Sequence, residues 1–91
     1  MTLTYADLAI ELPFAFSKKG RRAVTESLKE RLKKMNCSVL DLSGEYPKEA
    51  HLAIAFLALD EQSAHTKIEI IERMMESRFP DLQADLTYEM V

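Results

Sequence analysis

Two glycines, three prolines and one cysteine among 91 residues narrow the field at once. So little Gly and Pro excludes collagen-like and low-complexity chains, whose composition is dominated by those residues. Cys37 alone cannot form an intrachain disulfide framework, and it fits a reducing compartment. The opening MTLTYADLAIELPF lacks a basic leader, and Asp7, Glu11 and Pro13 interrupt its apolar residues. It therefore predicts neither a signal peptide nor a membrane span, and a cytoplasmic location is the resulting expectation. What is present is ordinary for a soluble globule: 47% hydrophobic and 30% charged residues. No linker, repeat or biased segment divides the chain, so one domain over residues 1–91 is expected.

Charge is unevenly distributed. Residues 18 to 34 hold eight Lys or Arg against Glu26 and Glu30, whereas the remainder holds four bases and thirteen acids. A segment of +6 thus sits within a chain of net charge −3. Such local asymmetry points to an anion-facing surface even when the total charge is negative.

Hydrophobic periodicity predicts the elements. Ala6, Leu8, Ile10 and Leu12 alternate with Tyr5, Asp7, Ala9 and Glu11, which predicts a half-buried strand from Thr4 to Leu12, closed by Pro13. Ser17 is placed to cap a helix whose apolar stripe is Val24, Leu28, Leu32 and Met35, with Asn36 as its stop. Ser38 to Ser43 reads as a short strand, with Leu40 and Leu42 on one side and Val39 and Asp41 on the other. His51 to Leu59 is apolar on both faces, as a central strand should be. Asp60 can cap a second helix with the stripe Ala64, Ile68, Ile71, Met75 and Phe79, ended by Pro80. Strict alternation from Asp81 onward predicts a last strand. Two strand-helix-strand halves make an α+β, ferredoxin-like split βαβ fold (βαββαβ): a four-stranded antiparallel sheet with both helices on one face.

Two candidate surfaces follow. Lys18, Lys19, Arg21 and Arg22 crowd the start of the first helix, where free backbone N–H groups and the macrodipole already favour anions. With Lys29 and Lys33 extending the charge, these six residues are the candidate phosphate contacts. On the sheet face away from the helices, Ala9, Ala53, Ala55 and Leu57 form an apolar strip suited to self-association, flanked by Tyr5, Asp7, Glu11, Asp85 and Glu89. That acidic face lacks the neighbouring aromatic pair on which RNA-recognition sheets stack bases.

No catalytic constellation accompanies them. His51 and His65 lack sequence-adjacent ligands of the kind zinc sites use and are assigned structural roles. Cys37 has no neighbouring His or Asp to activate it, and the methionines read as core residues. Neither a metal nor a cofactor is expected, and an enzyme would need a general base or nucleophile that the residues do not supply.

The run FAFSKKGRRAVTESLKERLKKMNCSVLDL, followed by EAHLAIAFLALD and a second helix, resembles the small bacterial YlxP-like family of ferredoxin-like proteins. Ser17, Lys19, Arg21 and Arg22 match its Ser-Leu-Lys-x-Lys-Arg block, and Ser27-Leu28-Lys29, Arg31-Leu32, Asn36, Ser38 and Val39 continue the match. Phe16 and Lys18 replace the family's usual His and Leu, and a tryptophan common before the third strand is missing near Pro47. Family members are commonly encoded beside translation-initiation and ribosome-maturation factors. The resemblance therefore implies a non-enzymatic accessory role, with ribosomal RNA or a ribosome-associated protein as partner. The alternative is a homodimeric protein-interaction module with no nucleic-acid role.

Overall fold

A computed structural model describes residues 1–91. The elements run β1 (Thr2–Glu11), α1 (Lys18–Lys34), β2 (Ser38–Asp41), β3 (Glu49–Ala58), α2 (Glu61–Arg78) and β4 (Gln83–Met90). They form one antiparallel sheet of order β2-β3-β1-β4. The expected βαββαβ topology is what the chain adopts.

β1 and β3 pair along their full lengths, from Thr2 opposite Ala58 to Glu11 opposite Glu49. Because strand side chains alternate in direction, this register sends one parity of both strands to each face. Ala6, Leu8 and Ile10 of β1 and Ala50, Leu52, Ile54 and Phe56 of β3 lie buried beneath the helices. They join Leu28 and Leu32 of α1 and Ala64, Ile68, Ile71 and Met75 of α2 in one core.

Caps set the helix ends. Ser17 Oγ accepts from Gly20 N at 3.0 Å, and Asp60 Oδ1 accepts from Ser63 N at 2.7 Å. Asn36 has φ 59°, the left-handed conformation that Asn tolerates, and it follows directly on the C-cap Met35. The buried stripe of α2 keeps the predicted Ala64, Ile68, Ile71 and Met75, while Phe79 is the C-cap and only half-buried. That of α1 differs: Arg21 and Thr25 are buried with Leu28 and Leu32, whereas Val24 and Met35 are only half-buried. β2 is shorter than predicted because the Asp41 carboxylate takes the N–H of Ser43 at 2.9 Å and turns the chain. β4 begins after Leu82, whose N–H is held by Phe79 O in the preceding turn.

Thr4 is fully buried, and its Oγ1 has no hydrogen-bond partner. Thr4→Val keeps the side-chain shape and removes this orphan, so it should stabilise the fold by about 1 kcal/mol. Thermal unfolding should show a midpoint about 4–8 °C higher; a lower midpoint would mean that the hydroxyl is satisfied. The Ser63 N–H bond also holds the Asp60 carboxyl below its usual value. A carboxyl with a depressed native pKa stabilises above its unfolded value of about 3.9 and loses that contribution as pH falls through the native value. Acid unfolding of Asp60→Asn should therefore depend less on pH below about 4 than that of the parent chain.

Candidate interaction surfaces

The start of α1 is covered by the loop between β2 and β3. Arg21, only 9% exposed, points its guanidinium into this loop. Its Nη1 donates to Gly44 O at 2.9 Å, Tyr46 O at 2.9 Å and Glu49 O at 3.0 Å. Beside it, Lys18 pairs with Glu45, and Lys48 lies over the Phe16 ring at 4.9 Å. The Lys18 hydrogen bond and charge hold the Glu45 carboxyl below the usual carboxylate range. Of the orphan N–H groups at this helix end, that of Gly20 is taken by Ser17. The anion beside the helix start is thus the protein's own Glu45.

The six candidate phosphate contacts therefore separate. Arg21 is largely buried and its Nη1 is committed to three loop carbonyls, so it acts as a structural clamp between α1 and the β2–β3 loop. Lys18 is engaged by Glu45, and Lys29 pairs with Glu26 at 3.1 Å. Lys19, Arg22 and Lys33 remain exposed and form no ion pair, as does Lys34, which lay outside the predicted set. Two small cationic clusters mark the two ends of α1, with Glu26 and Glu30 between them.

The opposite side of the molecule is a bare sheet face. Cross-strand pairing sets Leu3 beside Leu57, Tyr5 beside Ala55, Asp7 beside Ala53, and Ala9 beside His51. β2 adds Ser38 opposite Ala55 and Leu40 opposite Ala53, while β4 adds Glu89, Thr87, Asp85 and Gln83 opposite Tyr5, Asp7, Ala9 and Glu11. Ala53, Ala55 and Leu57 form the predicted strip along β3, and Ala9 sits one strand over, next to His51. The strip is wider than predicted, because Leu3, Leu40 and Leu42 are also exposed. Leu40 is 61% exposed and Leu57 60%, so this half of the face is apolar and open. The β1–β4 half carries the carboxylates.

A polar chain crosses between the halves. Tyr5 Oη donates to Asp7 Oδ1 at 3.0 Å, and His51 Nε2 lies 2.9 Å from the same oxygen. That hydrogen bond, with partial burial and the charges of Asp7 and Glu89, pushes the Tyr5 phenol above its ordinary value. His51 was assigned an unspecific structural role from sequence. Its odd-numbered parity with Ala53, Ala55 and Leu57 already placed it on the open face, but only the β1–β3 register puts Asp7 diagonally across from it. Beyond this chain, a cleft of about 700 Å³ runs past Ala9, Glu11, Leu42, Glu49, His51 and Asp85.

Elsewhere, His65 Nδ1 meets Tyr88 Oη at 2.8 Å and ties α2 to β4. Cys37 is buried, and burial pushes its thiol up, away from the reactive thiolate. No three His, Cys, Asp or Glu side chains converge as a metal-ligand set. No helix is long and apolar enough to cross a membrane.

This architecture is that of a ferredoxin-like α+β domain, with one sheet face covered by helices and the other open. Residues 3–87 match the family described as "Protein of unknown function (DUF503)", and the chain belongs to that family. No curated protein matches it. Among solved structures, a de novo designed protein with a ferredoxin fold is similar at a TM-score of 0.64 and 15% identity, over 98% of this chain and 86% of that one. A dimeric ferredoxin-like protein from an uncultured marine organism aligns at 0.57 and 8% identity, over 100% and 96%. A second dimeric ferredoxin-like protein from an uncultured marine organism aligns at 0.54 and 12%, over 98% and 94%. At such identities the likeness is one of fold.

Arg21→Met removes the donor that serves three carbonyls and should cost about 1–3 kcal/mol of stability. Lys19→Gln and Arg22→Gln, whose side chains are exposed and unpaired, should stay within about 0.5 kcal/mol of the parent. Parallel denaturant titrations decide the matter: equal midpoints for all three variants would remove the clamp role.

Proposed function

We propose that this protein is a non-catalytic interaction module that works as a homodimer, with the open sheet faces of two copies packed together. The observation that carries this reading is the apolar patch of exposed Leu3, Leu40, Leu42 and Leu57 around half-buried Ala53 and Ala55. Scattered exposed leucines are ordinary, but a contiguous set on a flat sheet is a hallmark of an association surface. Four strands about 4.8 Å apart, of ten, four, ten and eight residues, give a face of roughly 500 Å². Two such faces bury about 1,000 Å², the area that marks the lower bound of specific interfaces. The two dimeric ferredoxin-like structures support the reading, since they show the same fold in dimers.

A second reading concerns α1, which such a dimer would leave on the outside. Lys19, Arg22, Lys33 and Lys34 are exposed and unpaired, and they extend over about 22 Å of helix. Together with the YlxP-like resemblance, they support a cytoplasmic accessory role in which phosphates of ribosomal RNA, or an acidic ribosome-associated protein, dock on this helix. Phosphate contacts of this kind give salt-sensitive, sequence-independent affinity. Lys19→Glu with Arg22→Glu should abolish binding to a structured ribosomal RNA fragment in a low-salt titration, while leaving the dimer intact. Unchanged binding would set this second reading aside.

Sedimentation velocity over a hundredfold range of concentration tests the first. The expected species has twice the chain mass of 10.4 kDa. Leu40→Glu with Leu57→Glu should shift it to monomer without changing the circular dichroism spectrum. A parent chain that stays monomeric, or a double variant that stays dimeric, would overturn the sheet-face assignment.

A further inference from the structure

The open face carries a charge problem that one side chain can relieve. Its strand residues include Asp7 and Glu11 of β1, Glu49 of β3, and Asp85 and Glu89 of β4, and no Lys or Arg. Two copies packed face to face therefore bring ten carboxylates together, and this repulsion opposes what the leucines favour. His51 is the one side chain on that face able to become positive. It lies between the two halves, 2.9 Å from Asp7, and its side chain is 44% exposed in the single chain.

We propose that His51 makes the dimer stronger in acid: protonation of its imidazole adds a positive charge to each acidic face and tightens association of the two copies. The inference rests on the dimer reading above. Histidine is the side chain whose charge ordinarily changes between about pH 5 and 8. Every charged group facing His51 is a carboxylate. From β1 it meets Asp7, with Tyr5 bound to the same carboxylate, and Glu11 farther along. Its own strand supplies Glu49, and β4 supplies Asp85 opposite Ala9. On the β2 side it meets uncharged Leu40 and Leu42, and Ser43 Oγ accepts its backbone N–H. Lys48, the nearest base along the chain, turns away to lie over Phe16.

The proton inventory gives the direction. An ionised Asp7 can only accept, so neutral His51 donates from Nε2 and presents Nδ1 as an acceptor. In a dimer, that acceptor faces a surface rich in acceptors. Protonation turns Nδ1 into a donor and lowers the charge of the paired faces from −10 to −8. Dimerisation therefore takes up protons, and by linkage a falling pH must favour the dimer.

The test is the dimer dissociation constant of the parent chain and of His51→Gln, measured by sedimentation equilibrium at about pH 8 and about pH 5.5. The parent should associate about tenfold more tightly at the lower pH, a change of about 1.4 kcal/mol shared between the two His51 side chains of the dimer. His51→Gln should lose most of that difference and keep its circular dichroism spectrum. A parent dimer with the same constant at both values overturns the proposal and leaves the dimer reading standing. Equal pH dependence in parent and variant also overturns it, because the carboxylates would then be the responsive groups. A parent chain that is monomeric at both values sinks the dimer reading itself.

Discussion

The pairing of β1 with β3 decides almost everything else about this molecule. Ten residues on each strand meet in one register, and each side chain is thereby assigned to the helix side or the open side. A slip of one residue would bury Asp7 and Glu11 and expose Leu8 and Ile10, an exchange far too costly to occur. The core on one face and the interaction surface on the other are consequences of a single alignment. Because βαββαβ connectivity places both helices on the same side, the other face stays uncovered however well the core packs.

The two sides of the domain use charge in different ways. At the start of α1, four cations close together destabilise a helix end that is already positive, and the fold answers with its own loop. Arg21 donates to three loop carbonyls and Lys18 pairs with Glu45, so the cluster serves to fasten the β2–β3 loop to the helix. The cations left free are spread over two helix ends rather than gathered around one pocket. On the open sheet face the imbalance is negative and has no internal answer. Its carboxylates have only His51 and the Tyr5 hydroxyl as partners.

Much of this was legible in the sequence. Alternation in β1 and β4, the two-faced apolar run of β3, the caps at Ser17 and Asp60, and the left-handed Asn36 are local signals, and each appears where the residues indicate. Periodicity misled at α1, where Arg21 and Thr25 occupy core positions that an apolar stripe cannot reveal. Arg21 is buried only because a loop more than twenty residues away supplies acceptors, and no helical pattern contains that information. Likewise, Leu40 and Leu42 were recognised as sharing a side of β2, but that side becomes the open face only through the pairing of β2 with β3.

By itself the sequence determined the order and type of the elements, the identity of most core residues and the concentration of positive charge in one helix. These depend on spacing within a segment, where propensity, alternation and capping act over a few residues. Tertiary structure alone decided that Lys18 is paired with Glu45, that Arg21 clamps the β2–β3 loop, and that Tyr5, Asp7 and His51 form one chain across two strands. Those outcomes depend on contacts between residues 23 to 44 positions apart, which exist only once the sheet register and the loop over α1 are formed.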